Sequence, residues 1–307
     1  MVLQLDLSGN ELCGLDNDGD GDGTYNAEGT AIADALRINS GLTKISLSQN
    51  VSGEEGTKAI CEALEQNKTL KELDISGFGN TRNIGGTAGV KHVAKMLGIN
   101  GGLTSINMSA NNLTDSGRDM TGIKELAAAL GVNGGLTKMS LAGNQLEEEG
   151  TKAICEALEQ NKTLKELDIS GDGLGASNIG GSAGAKHVTK MLGVNGALTS
   201  IKLRANNLRD EGWGAIFAAI CGNKDSKIMS LDASSETIGP AGVKLIAEAL
   251  RTSVTGALTS IDLSSNQLTN YSKDMMGIKE LAAALGANGA LTNLKYVHVR
   301  PNMWAKL

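Results

Sequence analysis

Residues 57–77 read TKAICEALEQNKTLKELDISG, and the same letters return at 151–171, an offset of 94 residues. A second pair, NIGGTAGVKHVAKMLGINGGLTSI from Asn83 and NIGGSAGAKHVTKMLGVNGALTSI from Asn178, is offset by 95, and GIKELAAALG starts at both Gly122 and Gly277. Inside these long copies lies a shorter unit of the form LxxLxLxxN followed by a helical stretch. It begins at Val2, Leu42, Leu70, Leu103, Leu136, Leu164, Leu198, Ser226, Leu258 and Leu291, with spacings of 40, 28, 33, 33, 28, 34, 28, 32 and 33. A period of this length is the signature of stacked repeats, in which no unit can bury its apolar face alone.

Each unit carries two periodicities. Leu42, Ile45 and Leu47 alternate with polar residues, as in a strand with one buried face. Ile123, Leu126, Ala127 and Leu130, like Val243, Ile246, Ala247 and Leu250, recur at helical spacing and bury one stripe. Helices are expected to end at Asn100-Gly101, Asn133-Gly134, Asn195-Gly196 and Asn288-Gly289, where a left-handed residue stops the helix. Parallel strands joined by helical crossovers define an α/β solenoid of about ten strands. With strands ~4.8 Å apart and helices ~9 Å apart, the stack bends toward its sheet, which lines the concave face while the helices form the convex one.

The stretch LTKISLSQN...GEEGTKAICEALEQNKTL resembles the ribonuclease-inhibitor-like class of leucine-rich repeats, which also forms the repeat regions of NLR immune receptors and of the activator of the GTPase Ran. The resemblance spans essentially the whole chain and implies a horseshoe-shaped, non-enzymatic scaffold or adaptor for protein partners. It also implies a structural role for the ninth motif position, held by Asn10, Asn50, Asn111, Asn144, Asn206 and Asn266, whose side chains satisfy loop backbone. Phe78, Asp172, Ser234 and Val299 replace that asparagine elsewhere, so the ladder is expected to break there. The reading is one solenoid domain over 1–307, with an acidic insertion at 16–27 and a C-terminal cap at about 291–307.

Composition agrees with thin, similar layers. The 307 residues include 41 Gly and only 2 Phe, 3 Tyr and 2 Trp. The apolar content is too high for a disordered chain. A net charge of −6 argues against nucleic acid or an acidic membrane surface as a default partner, although local patches can depart from it. No stretch is long and apolar enough to span a bilayer, and the N-terminus lacks a secretory signal pattern. Four cysteines are too few for a disulfide scaffold, so a reducing, cytoplasmic setting is expected. The strand motif at Leu3–Leu7 has no separate cap before it, which is the pattern of a fragment or of a subunit in a larger assembly.

Catalytic motifs are missing: no nucleophile elbow, phosphate loop or HExxH zinc motif occurs. His92 and His187 are equivalent copies three units apart, about 27 Å by helix spacing, and cannot share a site. Cys61 and Cys155 are likewise equivalent helix positions, expected to pack and too distant for a disulfide. The exception is the run from Asp16 to Asn26, where Asp16, Asp18, Asp20 and Asp22 alternate in the manner of a calcium loop. Neither possible register supplies the bidentate glutamate at position twelve, so the competing reading is a solvated acidic loop. Calcium, and a calcium-responsive module, is the one cofactor expectation. The Ran-activator resemblance implies a further alternative, a GTPase activator with Arg82 or Arg118 as its rim arginine.

Two surfaces are candidates for a partner. The motif places Lys44, Glu72, Asp74, Asn107, Lys138, Glu166, Asp168, Lys202 and Asp262 on the concave face, together with several serines and no aromatic residue. Strand-to-helix segments carry Tyr25, Phe78, Arg82, Arg118, Arg209, Trp213, Tyr271 and Lys273 to one rim. Interfaces centre on aromatic and Arg anchors, and open parallel sheets recruit ligands at the carboxyl ends of their strands. The rim is therefore the preferred docking surface from sequence.

Overall fold

The computed structural model describes residues 3–10, 12, 27–78, 83–173 and 177–295. Among these residues ten strands alternate with nine helices. The strands are β1 (Leu3–Asp6), β2 (Leu42–Ser46), β3 (Glu72–Asp74), β4 (Ser105–Asn107), β5 (Lys138–Ser140), β6 (Glu166–Asp168), β7 (Ser200–Lys202), β8 (Ser230–Asp232), β9 (Ser260–Asp262) and β10 (Asn293–Lys295). The helices are α1 (Ala27–Ile38), α2 (Gly53–Gln66), α3 (Gly86–Ile99), α4 (Thr121–Val132), α5 (Glu147–Gln160), α6 (Gly181–Leu192), α7 (Arg209–Gly222), α8 (Pro240–Arg251) and α9 (Met276–Ala287). All strands pair in parallel, in chain order, in one open sheet.

Registration is by motif position. Ile45, Leu73, Ile106, Met139, Leu167, Ile201, Leu231 and Ile261 stand opposite one another and are buried as a continuous row beneath the helices. The helical stripes read from sequence, Ile123-Leu126-Leu130 and Val243-Ile246-Leu250, meet that row from the other side. Each fully buried aliphatic contributes ~1.5–3 kcal/mol, so the layer is stable only because each unit covers its neighbour. The thinness of the layers is visible at Gly122 and Gly277. A Cβ on Gly122 would lie 2.2 Å from Val90 Cγ1, and one on Gly277 would lie 2.6 Å from the Pro240 carbonyl oxygen.

Pairing corrects one register. Ser230, Leu231 and Asp232 align with Ser260, Ile261 and Asp262, so the eighth unit starts at Ile228, not Ser226. Its strand and the two beside it are thus 30 residues apart rather than 28 and 32.

The asparagine ladder is also more complete than expected. Asn83 and Asn178 return from beyond the two loop insertions and take the places left by Phe78 and Asp172. Asn83 donates to the Leu47 and Ile75 carbonyls at 3.1 Å each and accepts the Asn50 N–H at 3.0 Å. Asn178 donates to the Leu141 carbonyl at 3.1 Å and accepts the Asn144 N–H at 2.8 Å. In the eighth unit the place belongs to Glu236, not Ser234: its carboxylate accepts the N–H groups of Asn206 and Leu208. Val299 lies outside the described residues.

A second ladder explains the helix ends. Asn67, Asn100 and Asn133 cap their helices in extended conformation, with Asn100 at φ −82° and ψ 110°, and neither Gly101 nor Gly134 is left-handed. The stop is made by the asparagine side chain. Asn100 accepts the Gly102 and Leu103 N–H groups at 2.7 and 2.8 Å and donates to the preceding unit's Leu64 and Asn67 carbonyls. Orphaned carbonyls at each helix end thus find donors on the next layer.

Candidate functional site

Because strand side chains alternate, the outward residues of β2 to β9 form two rows across the concave face. The first runs Lys44, Glu72, Ser105, Lys138, Glu166, Ser200, Ser230, Ser260; the second runs Ser46, Asp74, Asn107, Ser140, Asp168, Lys202, Asp232, Asp262. All nine concave residues read from sequence lie in these rows. Asp232 was missed because the two-residue slip in the eighth unit moved it to the seventh motif position, beyond the strand. The signal was present in the match of Ser-Leu-Asp at 230–232 to Ser-Ile-Asp at 260–262.

The second row is pre-organised. Asp74 Oδ1 accepts both the N–H and the hydroxyl of Ser76, at 3.0 and 2.7 Å, and Asp232 does the same with Ser234. Asn107 holds Ser109 in the same way, and Asp168 and Asp262 accept the N–H of the serine two residues on. The second oxygen is left for a cross-strand partner. Asn107 donates to Asp74 Oδ2 at 3.2 Å, Lys202 approaches Asp168 Oδ2 at 3.3 Å and Lys295 approaches Asp262 Oδ2 at 2.8 Å. In the first row Lys44 pairs with Glu72 at 3.0 Å and Lys138 with Glu166 at 3.1 Å. Burial raises the Asp262 carboxyl, but the bonds from Lys295 and Ser264 outweigh it and hold the group below its ordinary range.

Between β4 and β7 the rows enclose a groove of about 260 Å³, bounded by Ser105, Asn107, Lys138, Glu166, Asp168 and Lys202. It is smaller and more polar than the apolar clefts of ~300–1,000 Å³ that bury small ligands. Its chemistry suits the side chains of a polar segment.

The rim is less coherent than the sequence implied. Trp213 is a correction: it is 0 % exposed, packed beside Phe217 with ring centroids 6.2 Å apart. The helical stripe of α7 turns it inward, so it is core and not a docking residue. Phe78 and Tyr271 are 71 % and 62 % exposed, and Arg118, Arg209 and Lys273 are exposed as well. Phe78 follows β3 and Tyr271 follows β9, six strands apart or ~29 Å, so they form no single anchor. Tyr25, Arg82 and the Asp16, Asp18, Asp20 and Asp22 run lie outside the described residues.

The remaining titratable candidates have ordinary structural roles. His92 lies 3.5 Å from Glu54, and its copy His187 lies 3.5 Å from Glu148. Cys61 and Cys155 are buried, and burial pushes both thiols well above their usual range, against the thiolate form that reactivity needs. Among the described residues no three His, Cys, Asp or Glu side chains gather to hold a metal ion.

The fold is that of a leucine-rich-repeat solenoid, and a solved structure agrees. The leucine-rich repeat-containing protein LegL7 from Legionella pneumophila aligns with a TM-score of 0.60 at 20% identity, over 96% of this chain and 83% of its own. Two further solved structures align at a TM-score of 0.36 each: leiomodin-1 actin-binding site 2, at 19% identity over 63% of this chain and 87% of its own, and the Caenorhabditis elegans tropomodulin C-terminal domain, at 14% over 65% and 92%. No protein-family profile matches the sequence, and no curated protein does.

Proposed function

We propose that this chain is a non-enzymatic scaffold of the ribonuclease-inhibitor-like type that seats a polar protein segment across the β4–β7 part of its concave face. The observation that carries the reading is the pair of unbroken, in-register polar rows, the second with its carboxylates held from behind, together with the two ion pairs that line one groove, Lys138–Glu166 and Lys202–Asp168. A fixed pattern of charged and neutral polar groups offers a partner orientation and register, while half-exposed pairs cost little to exchange for intermolecular ones. After the first, units of 28–34 residues with helices of 12–14 residues on the outer face support the subtype. The Legionella neighbour supports an interaction scaffold in general terms.

The test compares the proteins retained by immobilised wild-type chain with those retained by Lys138→Glu plus Lys202→Glu and by Phe78→Ala plus Tyr271→Ala. Partners lost only from the lysine variant are expected, with circular dichroism unchanged. Loss confined to the aromatic variant would return the docking site to the rim.

A further inference from the structure

The opposite edge of the sheet, where helices end and strands begin, has a composition of its own. Its loops, residues 39–43, 67–71, 100–104, 133–137, 161–165, 193–199, 223–229, 252–259 and 288–292, contain six lysines and one acid, Asp225. That is a net +5 in a chain of net −6, leaving −11 elsewhere. Lys68, Lys71, Lys162, Lys165, Lys224 and Lys227 have no carboxylate partner among the described residues. Lys71 donates instead to the Lys68 and Gly102 carbonyls, and Lys165 to that of Lys162.

The same edge exposes isolated aliphatic side chains: Ile38 at 86 %, Ile99 at 50 %, Val132 at 75 %, Val194 at 55 % and Val254 at 63 %. Ile38, Ile99, Val132 and Val194 each immediately precede a ladder asparagine. The helix does not require an apolar residue there, because the equivalent position is Gln66 in α2 and Gln160 in α5. Lysines near helix C-termini are favoured by the helix dipole, but that effect gives no reason for the aliphatics. Along the edge the two kinds follow one another as Ile38, then Lys68 and Lys71, then Ile99 and Val132 of two successive units, then Lys162 and Lys165, then Val194, then Lys224 and Lys227, then Val254. Glycines beside them, Gly98, Gly101, Gly131 and Gly134, have nothing within 4 Å of where a Cβ would stand, so no neighbouring group covers these positions.

We propose that this lysine-bearing edge docks peripherally on an anionic lipid surface, lysines at the headgroups and the single aliphatics just beneath them. A protein hot spot is a contiguous centre built on Trp, Tyr or Arg, and each of these separated side chains would need its own fixed pocket. A fluid bilayer accepts apolar side chains at any spacing, and its surface potential attracts lysines individually. The chain's negative balance does not oppose this. The acids Glu54, Glu55, Glu147, Glu148, Glu149, Asp210 and Glu211 sit in the first turns of their helices, a helix length of ~18–21 Å away, about two Debye lengths at physiological salt, while Glu65 and Glu159, in the last turns of α2 and α5, are paired with Lys95 and Lys190 at 2.9 and 2.8 Å. The surface is distinct from the concave groove and does not depend on it.

Co-sedimentation of the full chain with phosphatidylcholine vesicles, with and without phosphatidylserine, tests the inference. Binding is expected only with phosphatidylserine and is expected to be reversed by salt. Lys68→Glu plus Lys162→Glu plus Lys224→Glu should weaken it at least tenfold. Ile99→Ser plus Val132→Ser should weaken it with the salt dependence retained, and this pair serves if the lysine variant fails to fold. Lys138→Glu plus Lys202→Glu on the concave face should bind vesicles as wild type does. Absence of binding to phosphatidylserine vesicles, or equal binding by both edge variants, overturns the proposal. So does self-association without vesicles that the lysine variant abolishes, which assigns the edge to a second copy.

Discussion

Among the described residues Glu236 is the one carboxylate in a ladder otherwise built from asparagine amides, and it is 0 % exposed. It can accept, as it does from Asn206 and Leu208, but when ionised it cannot donate to the preceding strand as Asn206 and Asn266 do at 3.0 and 2.8 Å. Burial raises its carboxyl above the ordinary 4.5, more than the bonds from Asn206 and Leu208 lower it. The Trp213 indole N–H has no partner at hydrogen-bonding geometry, yet it faces the carboxylate closely enough to favour its charge. The folded state therefore holds this proton more tightly than the unfolded chain, and stability falls as pH rises from the ordinary carboxylate range through the raised one. Glu236→Gln is expected to leave melting unchanged below about pH 4 and to raise the melting temperature progressively above it, a difference that parallel thermal scans resolve. Trp213→Ala should cost ~3–5 kcal/mol in denaturant unfolding, the signature of a core aromatic and not of a docking residue.

Within one element, α4 contains two glycines with opposite roles. Gly122 lets α3 approach, so Gly122→Ala is expected to destabilise by ~1–3 kcal/mol through overpacking against Val90 and the Thr87 carbonyl. At Gly131 nothing lies within 4 Å of an added Cβ, and Gly131→Ala should stabilise by ~0.4–1 kcal/mol by restricting the unfolded chain. Urea titrations of both variants check the pair. Helices and strands themselves were legible in sequence, because their periodicities are properties of consecutive residues. How each helix ends was not. The Asn-Gly pairs read as left-handed stops, whereas the asparagine side chain makes the stop by bonding a carbonyl 36 residues earlier, as Asn100 does with Leu64.

For the whole molecule, the rows of the concave face separate binding from stability. Lys44–Glu72 and Lys138–Glu166 are about half exposed, where such pairs contribute ~0–1 kcal/mol. Lys138→Ala is accordingly expected to shift unfolding by less than ~1 kcal/mol while reducing partner retention, and stability should change little between low and high salt. Calorimetry and retention assays on one protein sample distinguish these effects.

Sequence alone determined the repeat, the order of strand and helix, and the identity of nine concave residues. Each follows from local alternation multiplied by a fixed period, and stacking is the only way such units bury their apolar faces. Tertiary structure decided the register of the eighth unit, the return of Asn83 and Asn178 across their insertions, the burial of Trp213 and the carboxylate at Glu236. Those outcomes depend on which backbone groups stand opposite one another between layers, through bonds such as Asn83 to Leu47 that join residues 36 apart. No window of consecutive residues contains both partners.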